Sequence, residues 1–313
     1  MLLLANGEGQ VGVAAAVTAL REGHSALDAV EAGIREVERD TGVHTVGRGG
    51  KPNLLGQVEC DAAIMDGSTL AAGAVGALQG YLFAVTVARR VMQDLPHVLL
   101  VGEGAARFAG EIGATTSEML TEESAAEHNQ WMDAHVPLVD RRAWPDVPLA
   151  PHVWTSAKGH GAHGTTVYLA VDRAGNLAGG ASTSGWSRKY PGRLGDSSII
   201  GAGLYADTRY GACGCTHTGE MAMRALTARS VVLYMQHGAP VADACHTAAQ
   251  DLQALCGGHL GPLVIHAMDR EGHPYVLSTH ELGEKIDYCF WSSAKDAVQH
   301  CRPVIATANG KAP

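Results

Sequence analysis

The 313-residue chain is predicted to fold as a layered α/β protein, an α+β sandwich of four layers (αββα) forming one domain over residues 1–313. Two patterns carry that expectation. Apolar residues recur at helical spacing near the start of the chain and again after residue 220, while short strand-like runs crowd the stretch from 165 to 217. Strands grouped centrally, with helices before and after, pack as antiparallel sheets with helices over both faces.

The elements follow in order. Val13, Val17 and Leu20, then Leu27, Val30, Ile34 and Val37, fall at helical spacing, so two amphipathic helices open the protein. Ser25 with Asp28 three residues later has the pattern of a capping box for the second helix. A Gly-rich loop (VGRGGKPN) leads to a strand in CDAAIMDG, the small-residue run AAGAVGALQG, a helix around Phe83 to Met92, a strand in HVLLVG and a further helix from Glu103. Residues 121–160 are polar, Pro-rich and aperiodic, the pattern of an exposed connector. Strands TTVYLAVD, NLAGGASTSG, GLYAD and GACGCTHTGE come next, with RAGN as the turn between the first two. Two helices, about Glu220 to His237 and Val241 to Leu255, precede strands in GPLVIHAMD and PYVLSTHEL.

Composition excludes several function classes. The formal charge is −9 and no cluster of Lys and Arg exceeds two or three residues, which argues against a nucleic-acid partner. The apolar start Met1–Leu4 is far too short for a signal sequence, and no apolar run approaches the ~18 residues of a membrane span. A soluble, cytoplasmic protein without membrane contact is expected. Seven cysteines, an odd number, point to reduced thiols. Cys213 and Cys215 form a C-x-C without a second pair at zinc spacing, so they read as same-face core residues of a strand. His152, His160 and His163 read as solvated loop residues rather than ligands. Neither a metal nor a cofactor is expected.

One stretch stands out. HGAHGTTVYLAVD, residues 160–172, sets a flexible hinge of Gly, His and Ala directly against a buried strand. From Thr165 to Glu220 the chain resembles the glycosylasparaginase and plant-type asparaginase family of N-terminal-nucleophile hydrolases, through HGT, GNLAGGASTSG, PGRLGDSSIIGAGLYAD and CTHTGE. Upstream, SALDAVEAG, TVGRGGKPN, DAAIMDG, GAVGAL and HVLLVGEGAARFA are similar to the glycosylasparaginases in particular. The resemblance implies the sandwich of that superfamily, self-cleavage between Gly164 and Thr165 into 1–164 and 165–313, a small-molecule aspartyl amide as substrate, and a homodimer of the cleaved units.

The chemistry explains the residue types. A threonine hydroxyl is a poor nucleophile without a base within hydrogen-bond reach. Cleavage before it frees its own α-amine, whose ordinary pKa of ~7.7–8.0 leaves much of it neutral near pH 7. The resemblance makes Thr165 the nucleophile, hydrogen-bonded by Thr183. It gives Arg193 the substrate α-carboxylate, Asp196 the α-ammonium, and Thr216 with the N–H of residue 217 the oxyanion. Taken one at a time, Thr165 and Thr183 are also ordinary strand threonines, and Arg193 with Asp196 an ordinary loop ion pair.

The departures concern substrate choice. Val167 stands where the family has Gly, and His217 replaces the Gly after the oxyanion Thr, which adds a titrating side chain near the substrate's amino end. The residue before the nucleophile is Gly164, where glycosylasparaginases carry Asp. Their substrate-contacting N-terminal Trp is missing, with Gly7 at about its place, and Trp186 and Tyr190 are the aromatics nearest the Arg193 clamp in sequence. The expected activity is hydrolysis of asparagine or β-aspartyl side-chain amides in the manner of N4-(β-N-acetylglucosaminyl)-L-asparaginase. The alternatives are an isoaspartyl peptidase or L-asparaginase, and a non-hydrolytic member that binds ligand or performs a biosynthetic acyl transfer.

Overall fold

The apolar opening of the chain is itself a strand, β1 (Leu2–Asn6), which the sequence reading missed. In the computed structural model, which describes residues 1–158, 164–281 and 287–306, a 3-10 turn (Gly7–Gly12) leads to α1 (Val13–Arg21) and α2 (Ala26–Arg39). Strands β2 (Cys60–Asp66) and β3 (Ala72–Leu78), helix α3 (Ala84–Asp94), strand β4 (Leu99–Val101) and helix α4 (Gly102–Glu111) follow. Then come α5 (Glu122–His135), α6 (Leu138–Arg142) and α7 (Ala150–Lys158). The central strands are β5 (Thr166–Val171), β6 (Leu177–Thr183), β7 (Leu204–Asp207) and β8 (Gly211–His217). Helices α8 (Gly219–Ala225), α9 (Thr227–Gln236) and α10 (Val241–Gln253) precede β9 (Leu263–Asp269), β10 (Pro274–Ser278), β11 (Tyr288–Ser292), β12 (Val298–Cys301) and β13 (Val304–Ile305).

The strands form two sheets within a mixed α/β fold, one ordered β12-β11-β1-β5-β6-β2-β3-β4 and the other β13-β10-β9-β8-β7. Pairing is antiparallel except for β3 with β4 and β10 with β13, which are parallel and depart from the purely antiparallel expectation. Side-chain alternation distributes each strand between two apolar clusters. Leu3, Ala5, Ile64, Tyr168 and Ala170 face a cluster built with Val30, Ile34 and Val37 of α2 and Val85 and Val91 of α3. Their neighbours Leu4, Ala63, Met65, Val167 and Leu169 join Leu204, Ala212, Val264 and Met268 of the other sheet. The far face of that sheet presents Cys213, Cys215 and Ile265 to Val231, Val232, Ala248 and Leu252 of α9 and α10. Cys213 and Cys215 are thus same-face core residues, as read from sequence. Among the described residues, no helix is long and apolar enough to cross a membrane.

The capping box at Ser25 is present, with the Asp28 N–H donating to Ser25 Oγ at 3.1 Å and the Ser25 N–H to Asp28 Oδ2 at 3.2 Å. Three expectations are corrected. The helix expected over Glu220–His237 is broken at Leu226, whose φ of 48° is left-handed and ends the hydrogen-bond ladder. The stretch 121–160, read as an irregular connector, contains α5, α6 and α7 within its described residues, 121–158. Thr121 Oγ1 caps α5 by accepting from the Ser124 N–H, and Glu122 and Glu123 favour its positive end. Only Ser124 and His128 of α5 are buried, so it carries no apolar stripe to read. It docks through polar contacts instead: Ser124 Oγ donates to the Gly49 carbonyl at 2.6 Å, Lys51 pairs with Glu127, and the Arg188 guanidinium sits 4.8 Å over the Trp131 ring. His152, expected in a loop and solvated, is buried on α7 with Nε2 3.5 Å from Asp140. His160 and His163 lie outside the described residues.

Close packing holds β5 against the opening helices. A Cβ on Gly33 would lie 2.4 Å from Cε1 of Tyr168, and one on Gly12 would lie 1.9 Å from the Gly33 carbonyl oxygen. The Tyr168 hydroxyl donates to the Gly9 carbonyl, so its ring cannot swing away. Gly33→Ala should therefore cost about 1–3 kcal/mol through overpacking. The loss should show as a lower denaturant midpoint at unchanged slope.

Candidate active site

Asn6, the last residue of β1, extends the β1–β5 ladder with its side chain. Its Nδ2 donates to the Thr165 carbonyl at 2.6 Å and its Oδ1 accepts from the Val167 N–H at 2.9 Å. Thr165 is thereby held, buried, one residue before β5. The expected bond between Thr183 and Thr165 is replaced by one to the adjoining residue: Thr183 Oγ1 donates to the Gly164 carbonyl at 2.6 Å, and it accepts from the Gly185 N–H at 2.9 Å. A hydroxyl oriented by one amide and aimed at the next peptide carbonyl polarises that carbonyl toward nucleophilic attack.

The loop carrying Arg193 and Asp196 is fastened from β2. Asp61 accepts from the Ala77 and Gly195 N–H groups, both at 2.9 Å, and Glu59 Oε1 accepts from the Gly192 N–H at 2.9 Å. Arg193 pairs with Glu220, not with Asp196: Nε and Nη2 both reach Glu220 Oε1, at 3.0 and 2.7 Å. The guanidinium also lies 5.0 Å from the Trp186 ring centroid, and Trp186 packs edge-on against His259 at 4.4 Å, so this aromatic braces the arginine, while Tyr190 is exposed. Asp196 is buried, and its Oδ2 has no hydrogen-bond partner among the described residues. Burial pushes its carboxyl up to about 7 against the opposing pull of Arg193. A buried carboxyl with one unpartnered oxygen, beside a braced guanidinium, can take one ammonium and one carboxylate together.

Thr216 lies near the end of β8, with Oγ1 3.0 Å from His217 Nδ1 and 3.4 Å from His266 Nε2. His217 has φ 83°, a left-handed conformation that favours glycine, so the imidazole sits on a backbone shape it strains to adopt. Burial pushes His217 down to about 4, and burial together with the charge of His217 pushes His266 down to about 3. The titrating group that His217 adds is thus displaced well below the ordinary imidazole range. Val167 is accommodated by Gly214 on the facing sheet, where a Cβ would lie 2.4 Å from Val167 Cγ1.

The Thr183 turn adjoins Arg193, and the start of α8 adjoins Asp196. Gly185, which orients Thr183, would bring a Cβ to 3.3 Å from Arg193 Nη1, and Gly219, next to Glu220, would bring one to 2.6 Å from Asp196 Oδ1. Among the described residues, no hydrogen bond joins Thr165 to Thr216 or His217. Sequence reasoning missed Asn6, Glu59, Asp61, Glu220, His266 and above all Glu8, whose Oε1 accepts from Thr45 Oγ1 at 2.8 Å beside the Gly164–Thr165 peptide. A half-buried acid next to a Gly-Thr bond leaves no periodic signal in the sequence. A groove of about 760 Å³ beside α1 and α2, lined by Thr18, Glu31 and Arg89, shares no residue with this cluster. Asp269, Glu271 and His273 bring ligand atoms within 4.8 Å of one another elsewhere, near the β9–β10 turn.

A family model described as Asparaginase matches residues 10–283. The chain is 37% identical over 247 residues to the N(4)-(Beta-N-acetylglucosaminyl)-L-asparaginase of Rattus norvegicus, covering 75% of this chain and 72% of the relative. It is 36% identical over 261 residues to the N(4)-(beta-N-acetylglucosaminyl)-L-asparaginase of Mus musculus, covering 78% and 75%. It is also 36% identical over 255 residues to the isoaspartyl peptidase of Salmonella typhimurium, covering 81% and 78%. The chain belongs to the asparaginase family and is a hydrolase of amide carbon–nitrogen bonds.

Proposed function

We propose that the chain cleaves itself between Gly164 and Thr165, and that the freed Thr165 hydrolyses the side-chain amide of asparagine or β-aspartyl compounds. The observation that carries this reading is the Gly164 carbonyl, held at 2.6 Å by the Thr183 hydroxyl directly before β5. After cleavage the Thr165 α-amine serves as base to its own hydroxyl. Arg193 holds the substrate α-carboxylate while remaining braced on Glu220, and Asp196 holds the α-ammonium. Thr216 and the N–H of His217 receive the oxyanion. The same reading makes the two sheets and their flanking helices a four-layer αββα sandwich of the N-terminal-nucleophile type. It also makes the assembly a homodimer of cleaved units. The seven cysteines are all free, which supports a reducing, cytoplasmic location.

A specific observation favours a leaving group other than a sugar. His217 fills space beside Thr216 where the glycosylasparaginases are expected to carry glycine, and the N-terminal turn offers Gly7 and Glu8 in place of an aromatic platform. The cleaved enzyme should therefore hydrolyse β-aspartyl dipeptides or free asparagine at least as well as the glycosyl-asparagine. Competition among the three from about pH 5 to about pH 9 tests it. Since Asp196 must ionise to hold an ammonium, kcat/KM should rise with pH through about 7, whereas His217, titrating at about 4, should add no step over that range. A preference of about a hundredfold for the glycosyl substrate, ~2.7 kcal/mol in transition-state binding, would sink the smaller-leaving-group reading.

A further inference from the structure

Self-cleavage by an acyl shift requires a proton to leave the Thr165 hydroxyl and another to reach the nitrogen of the same residue. The sequence removes the obvious carrier by placing glycine at 164. The fold supplies a carboxylate from elsewhere. A Cβ on Gly164 would lie 1.9 Å from Glu8 Oε1 and 2.4 Å from Thr45 Oγ1, so the Glu8 carboxyl, steadied by the Thr45 hydroxyl at 2.8 Å, already occupies the space of the missing side chain. Glu8 reaches in from the 3-10 turn after β1, and its Oε2 is shut off from solvent without a hydrogen-bond partner among the described residues. That turn is pinned by Tyr168 on the Gly9 carbonyl and by close approach of Gly7 to the backbone carbonyl of Asp287.

We propose that Glu8 is the proton carrier of self-cleavage, taking the proton of Thr165 Oγ1 and returning it to the Thr165 nitrogen. This deepens the self-cleavage reading and rests on it. The Oγ1–carbon bond to the Gly164 carbonyl forms as the Glu8 carboxylate accepts the hydroxyl proton, with the Thr183 hydroxyl on the developing oxyanion. The carbon–nitrogen bond then breaks as the Glu8 acid protonates the departing amine, leaving an ester. Water hydrolyses the ester to the Gly164 carboxylate and restores the Thr165 hydroxyl. Glu8 ends unchanged.

Its protonation suits both halves. Burial pushes Glu8 up to about 7, against hydrogen bonds from the Thr45 hydroxyl, the Thr165 amide and the Asn6 side chain that favour the anion. Among the described residues, no charged side chain contributes to that shift. The groups that hydrogen-bond the carboxyl, the Thr45 hydroxyl and the amides of Thr165 and Asn6, do not themselves titrate near neutral pH, so the pH dependence belongs to Glu8 itself.

The test is the rate of chain cleavage in freshly purified full-length protein across pH, read by denaturing mass analysis. Glu8→Gln keeps the shape and the place of the carboxyl but cannot cycle a proton, and should slow cleavage by about a hundredfold or more. It should also remove a rate step near pH 7 that wild type and Glu8→Asp show, with circular dichroism confirming that each variant folds. Cleavage of Glu8→Gln at the wild-type rate overturns the proposal, as does slowed cleavage that keeps the step, which would make Glu8 a packing residue. A wild-type chain that never cleaves overturns the self-cleavage reading as well.

Discussion

Thr165→Ala is expected to remain a single 313-residue chain and to lose amidase activity by at least about three powers of ten. The substitution deletes the hydroxyl and the γ-methyl but leaves the backbone grip intact, since Asn6 holds the carbonyl of Thr165 and the N–H of Val167, not the threonine side chain. Folding should therefore survive, and both losses should trace to the same oxygen. Thr165→Ser keeps that oxygen and should still cleave. Comparison of the two variants by denaturing mass analysis and by asparagine hydrolysis separates a missing nucleophile from a damaged strand. A Thr165→Ala protein that cleaves at 164–165 would remove the hydroxyl from the mechanism.

Arg193→Lys is expected to lower kcat/KM by about one to three powers of ten, ~1.4–4 kcal/mol, while self-cleavage proceeds at the wild-type rate. The guanidinium spends Nε and Nη2 on Glu220 and stacks near Trp186, an arrangement that fixes where the rest of its fork points. A lysine ammonium can reach Glu220 or a substrate carboxylate but lacks the planar fork that serves both. Because no hydrogen bond joins the cleavage groups, Gly164, Thr183 and Glu8, to Arg193 or Glu220 among the described residues, the defect should appear in steady-state kinetics alone. Wild-type kinetics in this variant would reduce Arg193 to a structural ion pair.

The sequence showed what periodic burial encodes. Val30, Ile34 and Val37 reach the core as their spacing implies, and the run TVYLAV is buried along its length because both faces of β5 meet apolar neighbours. It was silent where polar contacts do the positioning. Helix α5 docks by Ser124, Lys51 and Arg188 and buries no stripe, so it read as a connector. Strands β1 and β11 depend on pairing partners nearly three hundred residues apart, such as Leu2 with Ser292, which no local window contains. At the site, the Gly-Thr junction and the Arg193 loop were visible as motifs. Glu8 and Asp61 act on them across sequence separations that only the fold closes, and the Thr183 bond fell one residue from where the motif placed it.

The central claim is that Thr165 becomes a chain terminus before it becomes a nucleophile. Its most direct test is intact-mass and N-terminal analysis of denatured wild-type protein, followed through incubation and paired with an activity assay on the same samples. The account predicts two chains, 1–164 and 165–313, the second beginning with Thr165, and amidase activity that grows in step with their appearance. A protein that hydrolyses its substrate at full rate while remaining one uncut chain would contradict it.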